Sequence, residues 1–280
     1  MTSGRANLQL RFVDVAGESR LASCIQQPPW KVVRSFVSSG GACLVHLHNV
    51  SGGVLAGDHL DLDVQMGRGA RAQLTTTGAT RIYRAKEGDP PARQVLHAGA
   101  EEEALIEFLP DPIIPFAGSR YSQHSTFHLK SGAGLFWWEI VAPGRAAERF
   151  VYRQLDLEAE IYSNGLPIAI ERSRLEPGIR PLDNAAQLDR FTHTATFFIC
   201  RANVAAETWL SLEEALAQAA RSFDSTDPVS WGVSTLIQDG LVVRGLATET
   251  RHLQRGLLQF WRIAKLTLYG TEPAPPRKVY

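Results

Sequence analysis

Apolar and polar residues alternate with a period of two along the first two-thirds of the chain. The pattern is sharpest where Leu60, Leu62, Val64 and Met66 interleave with His59, Asp61, Asp63 and Gln65. Such alternation predicts a strand with one buried face. LQLRFV, KVVRSFV, CLVHLH, ALIEFL, YSQHSTFHL, LFWWEIV and LEAEIYS read the same way, separated by turn residues such as Gly67-Arg68-Gly69 and Asn164-Gly165. Residues 8 to about 175 are therefore expected to form antiparallel β structure. After TATFFIC the period changes. Ser211 and Glu214 have capping-box spacing, and Leu212, Ala215, Leu216, Ala219, Ala220 and Phe223 share one face, predicting a helix at about 211–223. WGVSTLI and GLVVRGLA should form a hairpin about Asp239-Gly240. A second helix is expected at about 248–268, with Leu253, Leu257, Phe260, Ala264 and Leu268 aligned and Gly270 as its stop. The proline-rich tail 271–280 reads as extended. No repeat of fixed period and no charged linker stands out. The expected fold is mainly β: a single strand-rich antiparallel domain over 1–270 with two α-helices near the C-terminus.

Composition narrows the function. The 280 residues are 44% hydrophobic, enough for a packed core, and Lys plus Arg equals Asp plus Glu at 29 each. No net field draws the chain to nucleic acid or to an anionic membrane. Cys24, Cys43 and Cys200 are scattered without a CxxC pair, arguing against a disulfide framework and a structural zinc site. With no apolar leader and no membrane-length apolar run, the protein is expected to be cytoplasmic. GxxxxGK[ST], GxSxG, HExxH and the EF-hand loop are all missing, so no enzyme is advertised. His46 and His48 share a strand face and could chelate weakly, although two ordinary histidines are the simpler explanation without a third ligand. His124 and His128 would stand roughly 13 Å apart on a strand, too far to share an ion. The Glu101–Glu103 run and Asp61/Asp63 read as solvated surface.

Three segments carry more information. GGVLAGD (52–58) precedes the strand HLDLDVQM and then GRGARAQLTTTGATRIYRA; EFLPDPIIPFAGSRY and WWEIVAPGRAAERF follow. Taken singly, Gly52, Gly53 and Gly57 supply turn conformations, Asp58 a turn cap, and Pro110, Pro112 and Pro115 a stiff loop presenting Asp111 and Phe116 for docking. In order and spacing they resemble the UreD/UreH family of urease accessory proteins, over nearly the whole chain. Ala56 stands where the family commonly has glycine, and Gly78 replaces a small side chain.

The resemblance implies a strand-rich fold with two late helices. It also implies a non-enzymatic scaffold that joins UreF and the GTPase UreG on apo-urease while nickel is installed, the metal moving through an internal water-filled passage assisted by a few carboxylates. By motif position Asp58 is the first candidate for such a carboxylate and Glu171 the second. Glu148 is a third candidate, more simply a partner of Arg145. Tyr83 and Arg84 are expected in packing. No cofactor should bind tightly; nickel would be handled in transit. The C-terminal helix and tail are expected to dock the UreF-like partner, with Leu258, Trp261 and Arg262 turned away from the body, unless Trp261 is core. The competing reading is a β-sandwich carbohydrate-binding module, but Trp137-Trp138 alternates in direction and Trp261 lies on a helix, so no sugar platform forms. A hydrolase using Asp58 or Glu171 as acid and base lacks a paired nucleophile.

Overall fold

Successive strands in the first half of the chain mostly do not pair with each other. In the computed structural model, which describes residues 5–145, 147–224 and 228–275, the backbone passes to and fro between two facing sheets. After β1 (Arg5–Val15) and β2 (Glu18–Gln26), the short β3 (Trp30–Lys31) and β4 (Ser35–Val37) both lie against β5 (Cys43–Asn49). β5, β7 (Arg71–Thr76), β10 (Leu105–Phe108) and β13 (Gly134–Val141) lie in one sheet; β6 (His59–Met66), β9 (Ala92–Ala100), β12 (Arg120–Leu129) and β14 (Gln154–Ser163) lie in the other. Within each sheet these strands are parallel and in register, as where Leu62 stands beside Leu96. The body is thus a wound coil, each turn giving one strand to each sheet. Antiparallel pairing, expected throughout, is confined to the flanks. There β1 pairs with β2, β3 and β4 with β5, β14 with β15 (Leu166–Leu175), β13 with β16 (His193–Arg201), and β18 (Gly240–Ala247) with both β16 and β17 (Val229–Thr235). The physical reason is that a period of two reports only that one face is buried. It is silent on the direction of the neighbouring strand.

The coil turns differently at its two ends. At one end three tight turns stack, each closed by an alanine amide: Ala70 to the Gly67 carbonyl at 3.0 Å, Ala104 to Glu101 at 3.1 Å, and Ala133 to Lys130 at 3.0 Å. The residue before each alanine is left-handed: Gly69, Glu103 and Gly132, at φ 70, 60 and 70°. Two of the three are glycine because that region costs other residues about 1 kcal/mol or more. At the opposite end the connections are longer. β8 (Thr80–Ile82) and β11 (Ile113–Pro115) pair in parallel there and, with the Val54–Ile82 bridge, build a narrow third wall.

Two cores result. Between the sheets, Phe12, Leu62, Phe127 and Trp137 meet; on the outer face of the sheet that contains β13, Phe136, Trp138 and Phe197 meet the helices. α1 spans Ala206–Asp224 rather than 211–223. Ser211 and Glu214 therefore lie within it instead of capping it, because Trp209 is buried on the same stripe as Leu212 and Leu216 and draws a further turn into the helix. α2 spans Thr250–Tyr269, and Gly270 ends it at φ 62° with its amide 2.9 Å from the Leu266 carbonyl. Lys265, on the buried side of α2, reaches Glu107 of β10, whose second oxygen accepts the Gln73 amide at 2.8 Å. The chain leaving α2 lies against the same site, where the Ala274 carbonyl accepts from Gln73 at 3.2 Å. Residues 276–280 of the predicted tail lie outside the described residues.

The expectation that Trp261 turns outward is corrected: it is 0% exposed, packed in the helix-side core with Lys265 over its ring. The helix needs a wider apolar stripe than a single row to cover the sheet beneath it. Trp261→Ala is expected to cost about 3–5 kcal/mol in a denaturant titration; a loss below about 1 kcal/mol would contradict its core placement.

Candidate functional site

The three distinctive segments come together at the long-connection end of the coil. Gly53 lies so closely against the Tyr83 ring that a Cβ would collide with it, and would stand 2.7 Å from the Arg81 carbonyl oxygen, which is why a residue without a side chain is required. Tyr83 meets Phe116 edge-on at 5.3 Å, and the Arg145 guanidinium lies 4.9 Å above the Phe116 ring. Arg145 in turn holds Glu148, Nε to Oε1 at 2.9 Å, and the Ala117 amide donates to Glu148 at 3.0 Å. Hydrogen bonding to Arg145 keeps the Glu148 carboxyl below the usual carboxylate range. One contact chain thus locks the successive connections to each other, and Trp138 fixes the proline loop from below through the Pro110 carbonyl at 2.9 Å.

Behind this end the two sheets do not close completely. Two cavities of about 240 Å³ each lie between them. The first is lined by Asn49, Thr76, Asp111, Gln94 and Ser125, the second by Ala159, Glu171, Ser173, Thr196 and Arg244. They adjoin at Trp137 and Glu139, which line both. Glu139 lies deep in the molecule yet keeps part of its surface open, and that surface faces the cavities. Its carboxylate accepts from the Gln123 amide across the gap, and Gln123 accepts from the buried Tyr121 hydroxyl at 3.0 Å. Burial pushes the Glu139 carboxyl up to about 7, against the pull of the Gln123 hydrogen bond, and the charge of Glu171 adds to the rise. Burial also raises the Tyr121 phenol well above its ordinary value.

The structure brings some of the expected residues to these cavities and not others. Glu171 lines the second cavity, and both its oxygens are held by Arg244 at 2.7 and 3.0 Å. Asp111, expected in docking, lines the first; its amide donates to Thr76 Oγ1 at 2.8 Å and its carboxylate accepts from the same hydroxyl at 3.1 Å. Gly52 and Gly53 also line the first cavity, Gly52 at φ 78°. Asp58 turns back on its own loop, its carboxylate accepting from the Leu55 amide at 2.8 Å, with Gly57 left-handed beside it at φ 81°. Glu148 pairs with Arg145 and Phe116 packs between Tyr83 and Arg145, so both serve the lock. Arg262 is exposed on α2 and pairs with Glu272 at 3.2 Å. His46 is buried edge-on to Phe36 at 5.7 Å, and burial, then proximity to His46, lowers the His48 imidazole. Among the described residues no group of three or more His, Cys, Asp or Glu is placed to hold a metal.

Glu139, Gln123 and Arg244 were not singled out from the sequence. A signal existed for Glu139, the one charged residue in LFWWEIV, where a carboxylate interrupts a strand otherwise fit for complete burial. Gln123 and Arg244 look like ordinary strand polars, and only the closeness of the two sheets gives them meaning.

The family model described as UreD urease accessory protein matches residues 4–280. A urease accessory protein UreD of Herpetosiphon aurantiacus is 44% identical over 276 residues, covering 98% of this chain and 96% of the relative. Those of Pseudomonas entomophila and Pseudomonas aeruginosa PAO1 are each 32% identical, covering 97% of this chain and 92% and 93% of the relatives. The interlocked connections around Gly53, Tyr83, Phe116 and Arg145 are therefore those of a chain that belongs to the UreD family of urease accessory proteins.

Proposed function

We propose that this protein is a non-enzymatic metallochaperone scaffold that takes part in loading nickel into apo-urease, in a cytoplasmic complex with UreF-like and UreG-like partners. The paired cavities are the route of the metal, and nickel is its cargo. The observation that carries the reading is the shared wall of those cavities. A carboxylate at Glu139 is placed between the sheets where an apolar side chain would stabilise the fold better. Family membership supplies the urease context. Three unpaired cysteines fit a reducing compartment.

The donor set suits transit. Among the described residues the cavity linings offer the carboxylates Asp111, Glu139, Glu158 and Glu171, with amide and hydroxyl oxygens, and no histidine or cysteine. Nitrogen and sulfur ligands would hold a first-row divalent ion firmly; sparse oxygens hold it loosely enough to release. Glu139 is protonated below about 7 and charged above it, so it receives a cation best on the alkaline side.

Partner docking is assigned to the exposed stripe of α2. With Trp261 buried, the outward surface is formed by Leu258 and Leu266, 38% and 39% exposed, beside Arg262. Apolar residues flanked by an arginine suit an amphipathic partner face. Asp111 and Phe116, held in the interlocked end, are better explained by cavity and lock.

Two outcomes are expected. First, Glu139→Gln keeps the shape and the bond to Gln123 but removes the charge. The folded pKa lies above that of an unfolded glutamate, so the carboxyl's stabilising proton is retained at low pH and its contribution is lost as pH rises through about 7. The variant should match the parent near pH 4, below the unfolded pKa, and exceed it by about 3 kcal/mol at most at pH 8, while nickel delivered to urease falls several-fold. Unchanged delivery would sink the route. Second, Leu258→Glu combined with Arg262→Glu should weaken co-purification with the UreF-like partner by about 2 kcal/mol or more, and leave the melting temperature alone. Retained binding would place the interface elsewhere.

A further inference from the structure

We propose that Arg244 is the gate of the second cavity: its guanidinium holds both oxygens of Glu171 across the gap between the sheets, and a cation moving beyond Glu139 must exchange with it. The proposal rests on the cavities being a cation route. Glu171 stands on β15 opposite Ala159, and both side chains line the cavity. Arg244 comes from β18 of the facing sheet, and its two terminal nitrogens lie 2.7 and 3.0 Å from the two carboxylate oxygens. The fork therefore bridges the edge strand β15 of one sheet and β18, one strand in from the edge, of the other.

Its position is outermost. Of the charged side chains lining this cavity Arg244 is the most exposed, 54% against 41% for Glu158 and 26% for Glu171, whereas Glu139 sits behind them in the interior. Three consequences follow from the chemistry. A planar guanidinium occupies both oxygens that an arriving cation would use, which an ammonium on a flexible stem does less completely. Its positive charge offsets that of Glu171, so the rim draws free divalent ions less than a bare carboxylate would, which favours filling from the Glu139 side. Being half exposed, the pair is screened and held weakly, so it closes the rim at rest and opens without unfolding an edge strand. Gln123 and Glu139 already span the gap further in, so the rim pair is a second crossing point on the same path.

The test reads access directly and does not depend on nickel. Ala159→Cys places a thiol in the second cavity, and its labelling by the cationic methanethiosulfonate ethylammonium reagent is followed by peptide mass spectrometry. Buried Cys43 and Cys200 report folding in the same sample. With Arg244 and Glu171 intact, the Ala159→Cys protein should label slowly at the new thiol. Adding Arg244→Gln should make it label about tenfold faster, Arg244→Lys should also accelerate because the fork is lost, and the exchange of Arg244→Glu with Glu171→Arg should restore slow labelling. If Arg244→Gln exposes Cys43 or Cys200, the Lys variant and the charge exchange decide. No acceleration in a variant whose native cysteines stay protected, or fast labelling in the exchanged pair, overturns the gate. Such a failure leaves the route through Glu139 standing, because that is read separately from nickel delivered by Glu139→Gln.

Discussion

The parallel register between coils is the constraint on which the rest depends. β7 stacks on β5, β10 on β7 and β13 on β10, while β6, β9, β12 and β14 do the same in the facing sheet. Each coil must therefore hand the chain from one sheet to the other twice. Tight turns with a left-handed third residue accomplish one crossing, and three of them stack amide on carbonyl. The return crossing takes the long connections, and these carry Gly53, Tyr83, Phe116 and Arg145. Their packing, Gly53 on Tyr83, Tyr83 on Phe116, Phe116 under Arg145, is the sideways counterpart of the ladder hydrogen bonds. A rigid end of this kind leaves the sheets slightly apart behind it.

That gap holds polar side chains at inward positions of otherwise apolar strands: Gln94 on β9, Gln123 and Ser125 on β12, Glu139 on β13. Buried polar groups of this sort cost stability unless paired. Gln123 satisfies part of the demand of Glu139, and the surface that Glu139 keeps open is turned to cavities roomy enough for water. The buried pair Lys265–Glu107 contrasts with it. There the charges neutralise each other, Gln73 completes the second oxygen, and the cluster fastens the last helix to the first coils. One buried carboxylate is thus satisfied by its own fold and the other is left able to accept a cation.

Much of this was legible beforehand, for identifiable reasons. Alternation located the strands because a half-buried strand is periodic whatever its neighbours, and the aligned stripe from Leu253 to Leu268 located α2 and its Gly270 stop. The parallel winding was hidden because the crossings differ in length, so the stacked alanines 70, 104 and 133 recur at unequal intervals. The first turn of α1, with Trp209, and the burial of Trp261 escaped the pattern for one reason: a helix lying over a broad sheet buries more than a single row of positions. Of the candidate carboxylates, Glu171 reaches a cavity, while Asp58 satisfies an amide of its own connection and Glu148 one of the preceding connection. Motif membership alone could not separate those roles, because the same turn needs an acceptor whether or not a cation passes nearby. Glu139 lies within the third of the quoted segments, but nothing there marked it for the gap, and it needed the facing sheet to reveal it.

Whether the inter-sheet gap at Glu139 carries the metal is tested most directly by anomalous diffraction at the nickel edge, on crystals of the accessory complex soaked with nickel at about pH 8. A partly occupied peak is expected beside Glu139, surrounded by oxygen atoms and extending toward Glu171. Nickel found only on the surface histidines, with the gap empty, would contradict that role.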